Sequence, residues 1–91
     1  MPRLTKNLEI QNKLGLHARA AALFVQTVNK FSSQVTVTSD GQSTDGRSIM
    51  GMLTLGATQG SKILVEVNGE DAEKALRAIE KLLDSRFNEN E

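Results

Sequence analysis

The chain has no cysteine, no tryptophan and no tyrosine, only one histidine, and no surplus of either charge. Each gap removes a class of function. Without cysteine there are no disulfides and no thiolate metal sites, which fits a reducing cytosol. One histidine with scattered carboxylates makes a poor transition-metal site, so no metal and no other cofactor is expected. The aromatic residues are Phe24, Phe31 and Phe87 alone. Base-stacking modules need exposed aromatic platforms, so a nucleic-acid partner is not expected either. Eleven basic and eleven acidic residues cancel, leaving no field toward nucleic acid or an anionic membrane. No apolar run approaches the roughly 20 residues of a membrane span, and the N-terminus lacks a signal-peptide core. The expectation is a cytoplasmic protein that needs no membrane.

What is there has a clear order. The 91 residues support one domain, 1–91, with one layer of helices on one sheet. Leu4, Leu8 and Ile10 share one face of a first strand, which Lys6 interrupts. Asn12–Gly15 is turn-prone. From Ala18 the period changes: Ala21, Phe24, Val25 and Val28 follow helical spacing, with an end expected near Lys30. Val35 and Val37 alternate with Thr36 and Thr38 in a second strand. Asp40-Gly41 is a hairpin turn leading to a short third strand near Gln42–Asp45. Ser48 suits a helix N-cap and Gly56 a helix stop, so a short helix lies between them, with Met52 facing inward. Ile63, Val65 and Val67 mark a fourth strand. Ala72, Ala75, Leu76, Ile79, Leu82 and Leu83 form the apolar stripe of a long last helix. Its acidic start, Glu70, Asp71 and Glu73, complements the positive helix end. The ends, Met1–Arg3 and Asn88–Glu91, read as loose. The fold class is therefore α+β: a two-layer open-faced sandwich in the order β-α-β-β-α-β-α. A four-stranded antiparallel sheet carries three helices on one face and meets water on the other.

His17 falls where the loop after the first strand enters the first helix. Free backbone N–H groups and the helix dipole make that a place for an anion. Arg19 can offer a guanidinium fork to phosphate oxygens. A neutral imidazole is available near pH 7 and can hold a phosphoryl group as a labile phosphoramidate. Read from composition alone, a lone histidine near a helix start is more often a cap or surface residue than a nucleophile. A serine-hydrolase role has no support in the spacing.

Asn12 with Gly15-Leu16-His17-Ala18-Arg19 resembles the active-site segment of the HPr family, the histidine-containing phosphocarriers of the bacterial phosphotransferase system. Ser48-Ile49-Met50-Gly51 with Leu55-Gly56 resembles that family's second hallmark, its regulatory-serine helix. The two motifs sit in the family's order and at its spacing, and the resemblance covers almost the whole chain. It implies that His17 is phosphorylated on Nδ1 and that Arg19 stabilises the group. It implies enzyme I as donor and EIIA domains as acceptors, so the protein is a relay and not an enzyme, and acts as a monomer. It also implies phosphorylation of Ser48 by an HPr kinase/phosphorylase, and a partner surface made of Arg47, Ile49, Met50 and Leu53. One departure stands out: the family pattern usually continues Arg-Pro-Ala, and here Ala20-Ala21 follow Arg19. The alternative is a mainly regulatory module of an incomplete phosphotransferase system, acting through phospho-Ser48 on a transcriptional regulator. A third reading is an unrelated α+β domain with a capping histidine.

Overall fold

The computed structural model describes residues 2–89. Its elements run β1 (Arg3–Glu9), α1 (Ala18–Val28), β2 (Gln34–Ser39), β3 (Gln42–Asp45), α2 (Ile49–Leu55), β4 (Lys62–Asn68) and α3 (Ala72–Asp84). The order is that expected, and the strands form one antiparallel sheet in the sequence β1-β4-β2-β3. Alternation explains the layering. Val35 and Val37 of β2 and Ile63, Val65 and Val67 of β4 are buried. They join Ala21, Phe24 and Val28 of α1, Met52 of α2, and Ala75, Ile79 and Leu83 of α3 in one core. The opposite sheet face carries Thr36, Thr38, Leu64 and Glu66 outward.

Lys6, the residue that interrupts the apolar face of β1, reaches over α3 and its Nζ donates to Glu80 at 2.8 Å. The Asp40-Gly41 turn has φ of 50° and 79°, the positive values that a tight hairpin between right-twisted strands requires. Gly56 closes α2 at φ 58°.

Four readings change. The first helix stops at Val28, short of Lys30, with Asn29 as its C-cap. Arg3 is not loose but opens β1, paired across from Asn68. The acidic start of α3 is not a uniform dipole effect: the Asp71 carboxylate leaves its own helix and accepts from the backbone N–H groups of Ser32 and Ser33, at 2.8 and 3.0 Å. The C-terminal segment is not loose as far as Glu89. After α3 a single turn, Arg86–Asn88, bends back with left-handed φ of 57°, 55° and 57°. Phe87 at its centre is fully buried. Met1, Asn90 and Glu91 lie outside the described residues. Among the described residues no helix is long and apolar enough to cross a membrane.

Candidate functional site

His17 is the N-cap of α1, with extended backbone (φ −80°, ψ −179°). The loop that delivers it is tied at every step. Gly15 N–H donates to Asn12 O at 3.2 Å, Leu16 N–H to Ala57 O at 2.9 Å, and His17 N–H to Gly15 O at 2.9 Å. Gly15 is required here: its φ is 65°, and a Cβ would run into the Ala57 carbonyl and stand 3.0 Å from Thr58 Cα. Leu16 is buried and anchors the loop, so the next residue is presented outward. The His17 side chain keeps 28% of its surface exposed.

The ring is held at both nitrogens. Arg19 N–H, in the first turn of α1, donates to Nδ1 at 3.3 Å. A donor on Nδ1 means that Nδ1 carries its lone pair and the ring proton sits on Nε2. Nε2 makes a short bond to the Glu89 carboxylate. The Glu89 side chain is only 11% exposed. Buried Asn12 supports it: Nδ2 donates to Gly15 O at 2.8 Å and lies 3.2 and 3.3 Å from the two Glu89 oxygens. Asn12 Oδ1 is buried without a hydrogen-bond partner among the described residues. Burial pushes the Glu89 carboxyl up. Hydrogen bonds from His17 and Asn12, with the electrostatic pull of the His17 ring and the Arg19 guanidinium, outweigh it and hold the acid below the usual glutamate range.

Arg19 is exposed and near the ring, but one of its donors is already engaged: Nη1 donates to Phe87 O at 3.1 Å. Ala20, where the family pattern usually has proline, is fully buried in the first turn of α1. Ser48 caps α2, its Oγ accepting from Gly51 N–H at 2.9 Å. Met50 and Ile49 are 73% and 42% exposed. Leu53 is half-buried and packs on the core, and Met52 is fully buried.

Arg47 stands apart from that surface. Its guanidinium donates to three carbonyls, Phe31 O at 2.7 Å, Ser33 O at 3.0 Å and Val28 O at 3.4 Å. It closes the end of α1 and the loop after it, so its guanidinium donors are engaged within the fold. Two residues escaped the sequence reading. Leu14, in the loop that leads to His17, is a further apolar side chain left 71% exposed. Glu89 lies 72 residues from His17, and no local spacing signals that contact. Among the described residues no group of three or more His, Asp or Glu is placed to hold a metal ion.

Comparison with known proteins is consistent across the chain. Residues 4–85 match the family model described as "PTS HPr component phosphorylation site". The phosphocarrier protein HPr of Xylella fastidiosa strain Temecula1 is 46% identical over 87 residues, covering 96% of this chain and 98% of that one. The HPr-like protein Crh of Halalkalibacterium halodurans is 40% identical over 74 residues, covering 81% of this chain and 88% of that one. Among solved structures, HPr from Thermoanaerobacter tengcongensis superposes with a TM-score of 0.89 at 46% identity, covering 100% of both chains.

Proposed function

The chain belongs to the HPr family of phosphotransferase-system phosphocarriers, and on that premise we propose that His17 is the residue that carries the phosphoryl group. Proteins of this family relay phosphoryl groups and are not enzymes; this chain works with phosphotransferase-system proteins such as enzyme I and EIIA. One observation supports His17 above all. Its Nδ1 holds a lone pair at the first turn of α1, where backbone N–H groups face outward, while Nε2 is engaged on the other side. Nδ1 is thus the nucleophile and the helix end receives the negative charge it acquires. Arg19 assists by releasing the Phe87 carbonyl and turning its guanidinium to the phosphoryl oxygens. Leu14, Ile49 and Met50 form the apolar surface against which donor and acceptor dock. Placement in the cytoplasm, action as a monomer and a single domain over 1–91 belong to the same reading.

The test is labelling with enzyme I and phosphoenolpyruvate. An acid-labile, base-stable phosphate appears on the protein and is absent from His17→Ala. Label that survives His17→Ala overturns the assignment.

Regulation through Ser48 is the second reading, and the likeness to the HPr-like protein Crh favours it. Ser48 already sits at a helix N-terminus, where a phosphate of about −1.5 to −2 charge is electrostatically tolerated. An HPr kinase/phosphorylase would place it there, and a transcriptional regulator would read it. ATP-dependent labelling by such a kinase, lost in Ser48→Ala, supports this; an unlabelled wild type beside a labelled control HPr excludes it.

A further inference from the structure

We propose that Glu89 is a positioning residue for the relay: its carboxylate keeps the proton on His17 Nε2 and stabilises the positive ring that forms when Nδ1 takes the phosphoryl group. The inference rests on His17 being the loaded residue. It goes further in assigning a task to the C-terminal segment, far from either sequence motif.

The contact is built into the fold. Three consecutive non-glycine residues, Arg86, Phe87 and Asn88, adopt left-handed backbone. Such residues avoid that conformation, and it persists only where the surroundings over-determine it. Here they do. The Phe87 side chain is fully buried. Arg19 Nη1 holds the Phe87 carbonyl at 3.1 Å. Asn88 N–H donates to Ser85 O, and Glu89 N–H to Arg86 O, each at 3.0 Å. A right-handed continuation of α3 would carry the chain onward along its axis. The left-handed turn folds it back to α1 and lays Glu89 between His17 and Asn12.

The chemistry follows from the proton. In the resting ring Nε2 bears hydrogen and Nδ1 bears the lone pair. When Nδ1 attacks, the Nδ1–P bond forms and the bond from phosphorus to the donor group of enzyme I breaks, with the leaving electron pair staying on the donor. Both ring nitrogens are then substituted and the ring is cationic. No proton has moved, and the new positive charge lies against the Glu89 carboxylate. In the forward transfer the acceptor attacks phosphorus, the Nδ1–P electron pair returns to the ring, and the original tautomer is restored. Were Nε2 deprotonated, the leaving group would be an imidazolide anion and transfer would stall. Glu89 therefore acts on both halves of the relay through one hydrogen bond.

The experiment compares wild type, Glu89→Gln, Glu89→Ala and Glu89→Asp. Glutamine fills the same space without the charge, so it separates electrostatics from packing. Each protein is loaded both by enzyme I with phosphoenolpyruvate and by phosphoramidate, which needs no partner. Charge-assisted hydrogen bonds exceed neutral ones by enough to shift the loading equilibrium with enzyme I about tenfold toward the donor in Glu89→Gln and Glu89→Ala. Aspartate restores part of it. By 15N NMR at one mildly alkaline pH, phosphorylated wild type keeps the Nε2 proton and the Gln and Ala variants lose it. Wild-type behaviour of Glu89→Gln in both readouts overturns the proposal, as does loading shifted in favour of the variants. A wild type loaded by phosphoramidate on His17 but not by enzyme I overturns the relay assignment while the Nε2 readout still decides the role of Glu89.

Discussion

At position 51 the usual sign of a glycine substitution inverts. Glycine inside a helix costs roughly 1 kcal/mol relative to alanine, so Gly51→Ala would stabilise α2 on propensity alone. In this fold an added Cβ runs into Thr44 Oγ1 on β3, stands 2.9 Å from Thr44 Cβ and 3.0 Å from Ser48 Oγ. The short helix lies this close to the sheet edge only because residue 51 has no side chain. Gly51→Ala is expected to lower stability by about 1–3 kcal/mol in urea unfolding; a gain would mean that α2 slides outward freely. Ser48→Ala should cost about 1 kcal/mol through the lost cap. The contrast shows which residues could be read in advance. The cap of Ser48 is a bond to Gly51, three residues on, and such local patterns are written in the sequence. The contact of Gly51 with β3, like that of His17 with Glu89, is made by chain separations that no local pattern records.

Among the elements, the joints were harder to foresee than the elements themselves. Helices and strands announce themselves by period, and all seven of those expected are present in the expected order. The joints depend on single charged side chains for which the sequence suggests other tasks, Arg47 in a partner surface and Asp71 at the helix dipole. Arg47 locks the end of α1 to the loop before β2 through three carbonyls. Asp71 locks the start of α3 to the same loop through Ser32 and Ser33. Gly69 lets the two segments meet, because a Cβ there would stand 2.7 Å from Ser33 Cα. The Asp71 tie predicts a pH response. The Ser33 hydroxyl first, then the Ser32 and Ser33 amides, hold the Asp71 carboxyl below its ordinary value of 3.8 against an opposing push from burial. A carboxyl depressed in the folded state contributes stability above its unfolded pKa and loses it as pH falls through the folded value. The gap in unfolding free energy between wild type and Asp71→Asn should therefore be full at neutral pH. It should narrow from about pH 3.8 downward. A gap that stays constant into strong acid would show that the tie does not depend on ionisation.

At the scale of the whole molecule, thinness decides how function is divided. The described residues measure 37 × 27 × 20 Å, one sheet and one helix layer, too thin to enclose a reacting group. The His17 ring is therefore part of the surface, and on the proposed assignment the partner supplies the rest of the reaction site. Affinity and chemistry then rest on different residues. On the proposed assignment, Leu14, Ile49 and Met50 offer apolar area but no chemistry, while His17 and Arg19 carry the group and Glu89 faces the far side of the ring. Met50 is the sharpest separator because it is 73% exposed and contributes little to the core. Met50→Glu should leave folding stability within about 0.5 kcal/mol, as surface substitutions do. At a docked interface the same change removes a buried apolar side chain worth about 1.5–3 kcal/mol. Each 1.4 kcal/mol is a factor of ten, so the KM of enzyme I for this protein should rise about tenfold or more, with kcat nearly unchanged. Substitution of Glu89 should instead shift the loading equilibrium and spare KM. His17→Ala, which keeps the apolar surface, should still compete with wild type for enzyme I, and adding Met50→Glu to it should abolish that competition. If Met50→Glu lowers kcat at constant KM, or the His17→Ala protein fails to compete, the apolar surface is not the docking surface, and recognition must lie on the ring and its immediate neighbours.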